Sequence, residues 1–379
     1  MFAGVKNFLS RHKRKFIVGG VIVGGSVLAL RYAQRKLREF QEEQAREFLE
    51  KTRRLQHFES TERTCNQTIV GLAPGVFEEI NKLLSAEELL EQLRKKPDNK
   101  KELWDEMKVN SFTRITTMVY ASSILVVTLR IQLNLVGGYL YRDSTKPTSS
   151  NTVVTPDVQQ MYLALIQHFL RDGLKQLSRL IEGKVRHIMK DYDLSRQLTI
   201  GDIEQIFWSI QMAVNNDPQS PNNHLARYVF PEDVNGNQTL IRLFTDTMDL
   251  LESEEVSTLC TNNISRGFSI VVDFLVRYYS EPNGKRNGVL KDGGHQETTS
   301  STKVEEIPST SKESLNKIFD INSVQSPLAK LIPIITGLVS KPFSETTKPQ
   351  SLATALVILF LVSDKIKILG ANVYEVFNQ

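Results

Sequence analysis

The chain has 379 residues, 40% of them hydrophobic and 24% charged, with a mean hydropathy of −0.24. That balance is enough to bury a sizeable core, and it excludes a fully disordered chain, a collagen-like chain and a polytopic membrane protein. The net charge of +4 is unevenly placed: residues 1–40 hold nine Lys or Arg against one acid, so the remainder is mildly acidic, which argues against a nucleic-acid-binding body and points to membrane contact at one end.

The first element is the run Phe16–Leu30, fifteen residues without a charge, preceded by Arg11, Lys13, Arg14 and Lys15 and followed by Arg31, Arg35, Lys36 and Arg38. As a helix the strict run spans about 22 Å, and continuing through Ala33 with Arg31 snorkelling gives about 27 Å, enough for a thin bilayer. A retained single span competes with a cleaved signal peptide and with a buried or interfacial helix. The span is favoured because no A-x-A cleavage site follows and strong positive charge does. Gly20 and Gly24 form one GxxxG, a weak signal for helix pairing. Basic residues flank both ends about equally, so charge alone sets no orientation.

Everything after the span reads as helix. Leu37, Phe40, Phe48, Leu49, Leu55 and Phe58 lie at helical spacing and continue the span directly. Pro74 opens a second helix. Ser85 with Glu88 reads as a capping box for a third, carrying Leu89, Leu90 and Leu93. Pro97-Asp98-Asn99 is a turn, and Asn99 caps a long helix with Leu103, Trp104, Met107 and Phe112. The apolar stretch Met118–Val136 contains Arg130, which would cost at least about 2.5 kcal/mol mid-membrane, so it reads as a central buried helix ended or bent by Gly137-Gly138. Thr155-Pro156-Asp157 starts one long helix reaching Ile188. Thr199 and Asp202 open a shorter one, residues 215–237 form a loop, and two helical patterns cover 239–252 and 255–279. Residues 280–314 read as a disordered surface loop. Ser326-Pro327 opens a helix with a kink at Pro333, and a last helix begins near Ser351. Its apolar run, Leu352–Val362, is too short to span a bilayer and suits a core helix.

Motifs of catalysis are missing. The six histidines are scattered, and the chain holds no HExxH, CxxC, GxxxxGK[ST] or GxSxG. The two cysteines, Cys65 and Cys260, cannot build a disulfide scaffold; they fit a reducing compartment. No metal, cofactor or small-molecule substrate is expected. A docking receptor, a general membrane tether and a tethered enzyme whose residues converge without a motif are the function classes left open.

Several blocks resemble the peroxisomal biogenesis factor 3 family. They include Asn7-Phe8-Leu9 with Arg11-His12-Lys13, His57-Phe58-Glu59-Ser60, Arg63-Thr64-Cys65-Asn66, Ser111-Phe112-Thr113-Arg114 and Gly137-Gly138-Tyr139. Pro156-Asp157-Val158-Gln159-Gln160, Arg266-Gly267-Phe268-Ser269 and Ala371-Asn372-Val373-Tyr374-Glu375 continue the set in order. The resemblance implies a protein of the peroxisomal membrane whose helical domain faces the cytosol. It implies a docking receptor for peroxisomal biogenesis factor 19, the carrier of newly made peroxisomal membrane proteins. An amphipathic N-terminal helix of the carrier would lie in an apolar groove at Leu93, Lys100, Trp104 and Met107, with Trp104 the main contact. Met107 stands where a leucine is expected.

Residues and resemblance together give an all-α protein, a single N-terminal transmembrane helix followed by one large elongated helical bundle. Residues 1–15 would be a basic targeting segment, with Arg11, Lys13, Arg14 and Lys15 contacting membrane lipids. Residues 16–33 would be the span, and 34–379 the cytosolic helical domain.

Overall fold

A computed structural model describes residues 2–95, 97–145, 153–280, 324–343 and 351–378, the stretch 2–30 by its backbone alone. The protein is all-α. Helix α1 (Phe2–Leu83) is followed by α2 (Glu87–Arg94), α3 (Lys100–Thr145), α4 (Pro156–Ala164), a π-helical turn (Phe169–Gly173) and α5 (Leu174–Met189). After strand β1 (Gln197–Leu198) come α6 (Ile200–Asn215), α7 (Leu225–Val229), α8 (Gln238–Leu251) and α9 (Glu254–Ser280). Strand β2 (Ser326–Pro327) precedes α10 (Leu328–Ser340), α11 (Leu352–Leu361) and α12 (Asp364–Phe377). The two strands pair antiparallel, Gln197 with Pro327 and Leu198 with Ser326. The loop expected at 280–314 lies outside the described residues from 281 onward, and so do the side chains of Arg11, Lys13, Arg14 and Lys15.

The chain divides into two compact units, Met1–Ser60 and Thr61–Gln379. In the first, every residue from 31 to 51 is exposed. The helix there is supported locally, by Arg35 to Glu39 at 3.1 Å and Lys51 to Glu47 at 2.9 Å, pairs of the i,i+4 kind.

In the second unit α3 is the centre. From Ser111 to Tyr139 every residue is buried, and α2, α4, α5 and α7 to α12 all pack on it. A helix buried on all sides, with its apolar residues and its short polar ones alike, has its sheath within the protein. The expectation of a core helix therefore holds, and Arg130 shows how. Its side chain is fully buried and pairs through Nη1 with Glu62 of α1, while Nη2 donates to Asn66 Oδ1 at 2.8 Å. Asn134, one turn on, donates to the other Glu62 oxygen at 3.1 Å. Helix α12 closes over this cluster at Gly370, where a Cβ would stand 2.8 Å from Arg130 Cδ and 2.9 Å from Glu62 Oε1. Glycine is required at that approach.

Several sequence expectations are corrected. Pro74 opens no helix: α1 runs through it, because a proline on an exposed face removes only one hydrogen bond whose carbonyl water can reach. The Ser85–Glu88 capping box does not form. Ala86 is the N-cap, and Ser85 Oγ accepts instead from Glu87 N at 3.2 Å. Gly137-Gly138 does not end or bend α3, which continues to Thr145. Those glycines exist for close packing: a Cβ at 137 would meet Thr61 Cγ2 at 2.7 Å, and one at 138 the Tyr374 carbonyl at 2.9 Å. The helix begun by Thr155, whose hydroxyl accepts from Val158 N at 3.4 Å, is not continuous. It breaks after Ala164 and resumes through the π turn, at whose end the Tyr228 carbonyl of α7 occupies the place a Cβ of Gly173 would take. The helix at Ser351 is not the last, since α12 follows it. Thr199 and Asp202 open a helix as expected, and they do so through a capping box, with Thr199 N to Asp202 Oδ2 at 2.8 Å and Asp202 N to Thr199 Oγ1 at 3.2 Å.

Two outcomes follow from these contacts. Glu62→Leu strands the Arg130 charge and lowers the unfolding free energy by about 3–5 kcal/mol, while adding Arg130→Met restores most of it. Denaturant unfolding followed by circular dichroism measures both, and a Glu62→Leu protein as stable as wild type would contradict the assignment. Gly173→Ala destabilises by more than about 1 kcal/mol in the same assay, since the Tyr228 carbonyl cannot yield without moving α7.

Candidate functional site

The residues singled out at the start of α3 are placed unequally. Leu103 and Met107 are buried, at 7% and 2% exposure. Trp104 and Leu93 are half-buried and pack against the core from its edge. Lys100 is exposed. The four therefore do not form one exposed patch. Trp104 and Leu93 present part of their surface, Lys100 is exposed, and Met107 is enclosed in the core.

The local sequence explains this. Successive helical positions turn by about 100°, so Leu103 and Met107, four apart, share the inward face, and Trp104 falls to one side of it. Helix α2 packs against α3, yet none of its residues is buried. Leu89 and Leu93 are half-buried and Leu90 is exposed. The short turn of Pro97-Asp98-Asn99 joins the two helices, with Leu103 N donating to Asn99 O at 3.2 Å.

Beside Trp104 the polar side chains are fixed. Lys108 is only 4% exposed, and its ammonium is satisfied by Asp105 Oδ1 at 2.9 Å and the Tyr192 carbonyl at 2.8 Å. Glu106 receives a two-pronged bond from Arg186 of α5, at 2.6 and 2.9 Å. That bond holds the Glu106 carboxyl below its ordinary range and raises Arg186. The lowered carboxyl contributes stability above the ordinary carboxylate range, and the contribution is lost as pH falls through it; the pair is half exposed, so it is small. Asn110 Nδ2 donates to the Leu84 carbonyl at 3.2 Å, tying α3 to the end of α1. Trp104 thus stands on a rigid helix beside a lightly held one.

Neither thiol is poised for reaction: burial pushes both Cys65 and Cys260 up to about 12, the opposite of an activated thiolate. Among the described residues no group of three or more His, Cys, Asp or Glu could hold a metal ion. One aromatic escaped the sequence reading. Trp208 of α6 is 56% exposed with Met212 beside it on the same face. The signal was present, because Trp208 lies off the stripe of Ile203, Ile206, Phe207 and Ile210.

Fold and site define an all-helical scaffold organised on one sheathed central helix, with a tryptophan at its surface end. The sequence model described as Peroxin-3 matches residues 7–99 and 95–336. Peroxisomal biogenesis factor 3 of Mus musculus is 34% identical over 397 residues, covering all of this chain and 98% of its own. Its Homo sapiens counterpart is 34% identical over 400 residues with the same coverage. Peroxisome biogenesis protein 3-2 of Arabidopsis thaliana is 24% identical over 302 residues, 72% of this chain and 82% of its own. The chain belongs to the peroxin-3 family of peroxisome biogenesis factors.

The burial difference gives a stability test. Met107→Ala costs about 2–5 kcal/mol, as for other core truncations. Trp104→Ala, losing only a half-buried ring, costs markedly less in the same thermal or denaturant unfolding experiment. Equal losses would place the indole in the core.

Proposed function

We propose that this protein is a docking receptor held in the peroxisomal membrane by residues 16–33 as a single span, with its helical domain in the cytosol. Its partner is peroxisomal biogenesis factor 19, whose amphipathic N-terminal helix lies against α2 and the start of α3. The receptor thereby supports insertion of peroxisomal membrane proteins and performs no catalysis itself. The observation that carries this reading is Trp104, half-buried on a rigid helix at the edge of the core. A helix laid in a groove needs a large aromatic anchor, a soft or aliphatic wall and a charged rim, and hot spots favour tryptophan. Trp104 supplies the anchor, Leu93 the wall, Met107 the floor and Lys100 the rim. Helix α2, with no buried residue of its own, can adjust to the ligand at small cost. Nine basic residues within positions 1–40 suit attachment at an anionic membrane surface.

Titrating the protein with the carrier's N-terminal peptide tests the groove. Trp104→Ala weakens binding at least about 30-fold, the effect of losing about 2 kcal/mol, while the helical circular dichroism spectrum is unchanged. Wild-type affinity in that variant would refute the groove. Cell fractionation tests the anchor: removing residues 1–40 moves the protein from membranes to the soluble fraction, and persistence on membranes would refute the span.

A further inference from the structure

Within the Met1–Ser60 unit, helix α1 holds four large apolar side chains in water: Leu37, Phe40, Phe48 and Leu55, each between 56% and 70% exposed. With Gln44 and Lys51 they follow one another at spacings of 3, 4, 4, 3 and 4 residues. The mean spacing matches the helical repeat, so the six stay on one face of a straight helix for about 27 Å. Lys51 does not interrupt the face: its ammonium pairs with Glu47 at 2.9 Å, which leaves its methylene stem to the stripe. Arg35, Glu39, Glu42, Arg46 and Arg53 occupy the opposite face. Single exposed apolar residues are ordinary, whereas a continuous line of them on a bare helix calls for a cover.

Lipid is a poor cover. Helix α1 runs from Phe2 to Leu83 without a break, so a span at 16–33 carries residues 37–55 straight out into water. Positions 39–50 also hold five Glu against one Arg, which an anionic membrane surface repels. The flanks of the stripe point to a second copy of the same helix. One flank holds Lys36, Glu43, Glu47 and Arg54; the other holds Gln34, Arg38, Gln41, Ala45, Thr52 and Gln56. An antiparallel pair sets each flank against its own copy, so that Lys36 meets Arg54 and Glu43 meets Glu47, like charge on like. A parallel pair sets the charged flank against the other one, where Arg38 is the single charge. The area is sufficient. With roughly 100 Å² of each of the four apolar side chains in water, two copies cover about 800 Å² from the stripe alone, and the flanks bring the pair to the roughly 1,200 Å² of a small specific interface.

We propose that α1 pairs with α1 of a second copy of this chain, side by side and parallel, through Leu37, Phe40, Phe48 and Leu55. Two chains whose spans share a membrane are already parallel and level, so their stripes meet at the same height and at the raised effective concentration of a surface. For that membrane geometry the inference rests on the span proposed above; the stripe and its charge pattern do not. Gly20 and Gly24 fall about 100–140° around the helix from the stripe and take no part in it. Trp104 belongs to the other unit, and the pairing does not involve it.

The test uses the full chain in a neutral maltoside detergent, with its protein mass read by light scattering. The mass of two chains is expected in place of the 43.1 kDa of one. Phe40→Asp combined with Phe48→Asp weakens the pairing at least about 100-fold, the effect of losing two anchors, and leaves the unfolding midpoint unchanged. Disulfide trapping reads the order of the chains. Leu37→Cys and Leu55→Cys each join to their own copy in a parallel pair, and Arg46→Cys on the opposite face does not. The native thiols, at 0% and 1% exposure, are too buried to interfere. A single-chain mass for the wild type, a two-chain mass that the paired Asp substitutions leave intact, or trapping only in a mixture of Leu37→Cys with Leu55→Cys would overturn the proposal. A wild type that pairs in parallel in detergent but fractionates as soluble supports the stripe and refutes the span, so the two readings fail separately.

Discussion

The guanidinium of Arg130, fully buried in the middle of α3, is the constraint around which the bundle is arranged. A charge removed from water is tolerated only with a counter-charge and further hydrogen bonds close by. Glu62 and Asn66 come from α1, Asn134 from the next turn of α3, and the glycine that permits closure from α12. Three helices must be in register for both terminal nitrogens of that one side chain to find their acceptors. A purely apolar core would hold them as tightly but would allow them to slide. The pair thus adds little net stability and specifies which residues face one another.

The same helix links the core to the site. Where α3 leaves its sheath it carries, within eight residues, the buried Leu103 and Met107, the half-buried Trp104 and the ion pairs of Lys108 and Glu106 with their neighbours. Those pairs fix the backbone under the indole. Helix α2 has only half-buried leucines and a short turn to hold it. A fixed anchor beside a yielding wall is a sensible division for recognising a helix, since only one side must adapt.

Much of this was legible in the sequence. The central position of the Met118–Val136 stretch followed from Arg130 alone, and the caps at Thr155, Thr199 and Ser351 followed from side chains that satisfy amides within their own turn. Trp104 stands among Glu102, Asp105, Glu106 and Lys108, a setting that suits a half-buried ring. What could not be read depends on partners distant in the chain. Gly137-Gly138 looked like a break and Gly173 like an ordinary position of one long helix, yet these glycines admit Thr61, Tyr374 and Tyr228 from elsewhere, so two lie inside a continuous α3 and the third accompanies a π turn. Pro74 looked like a start because its exposure was unknown. The full burial of Met107 beside the half-buried Trp104 depends on long-range packing, which no local pattern fixes.

The two cysteines give the interior a pair of built-in reporters. Cys65 Sγ donates to the Leu129 carbonyl of α3 at 3.6 Å, and Cys260 is 1% exposed. Each is buried, Cys65 on α1 and Cys260 on α9, a helix that packs on α3. A thiol reagent can reach either only when that helix lifts, so the rates of alkylation separate two openings that a global unfolding curve merges. The α1 seam and the α9 seam can therefore be timed independently in the unmodified protein.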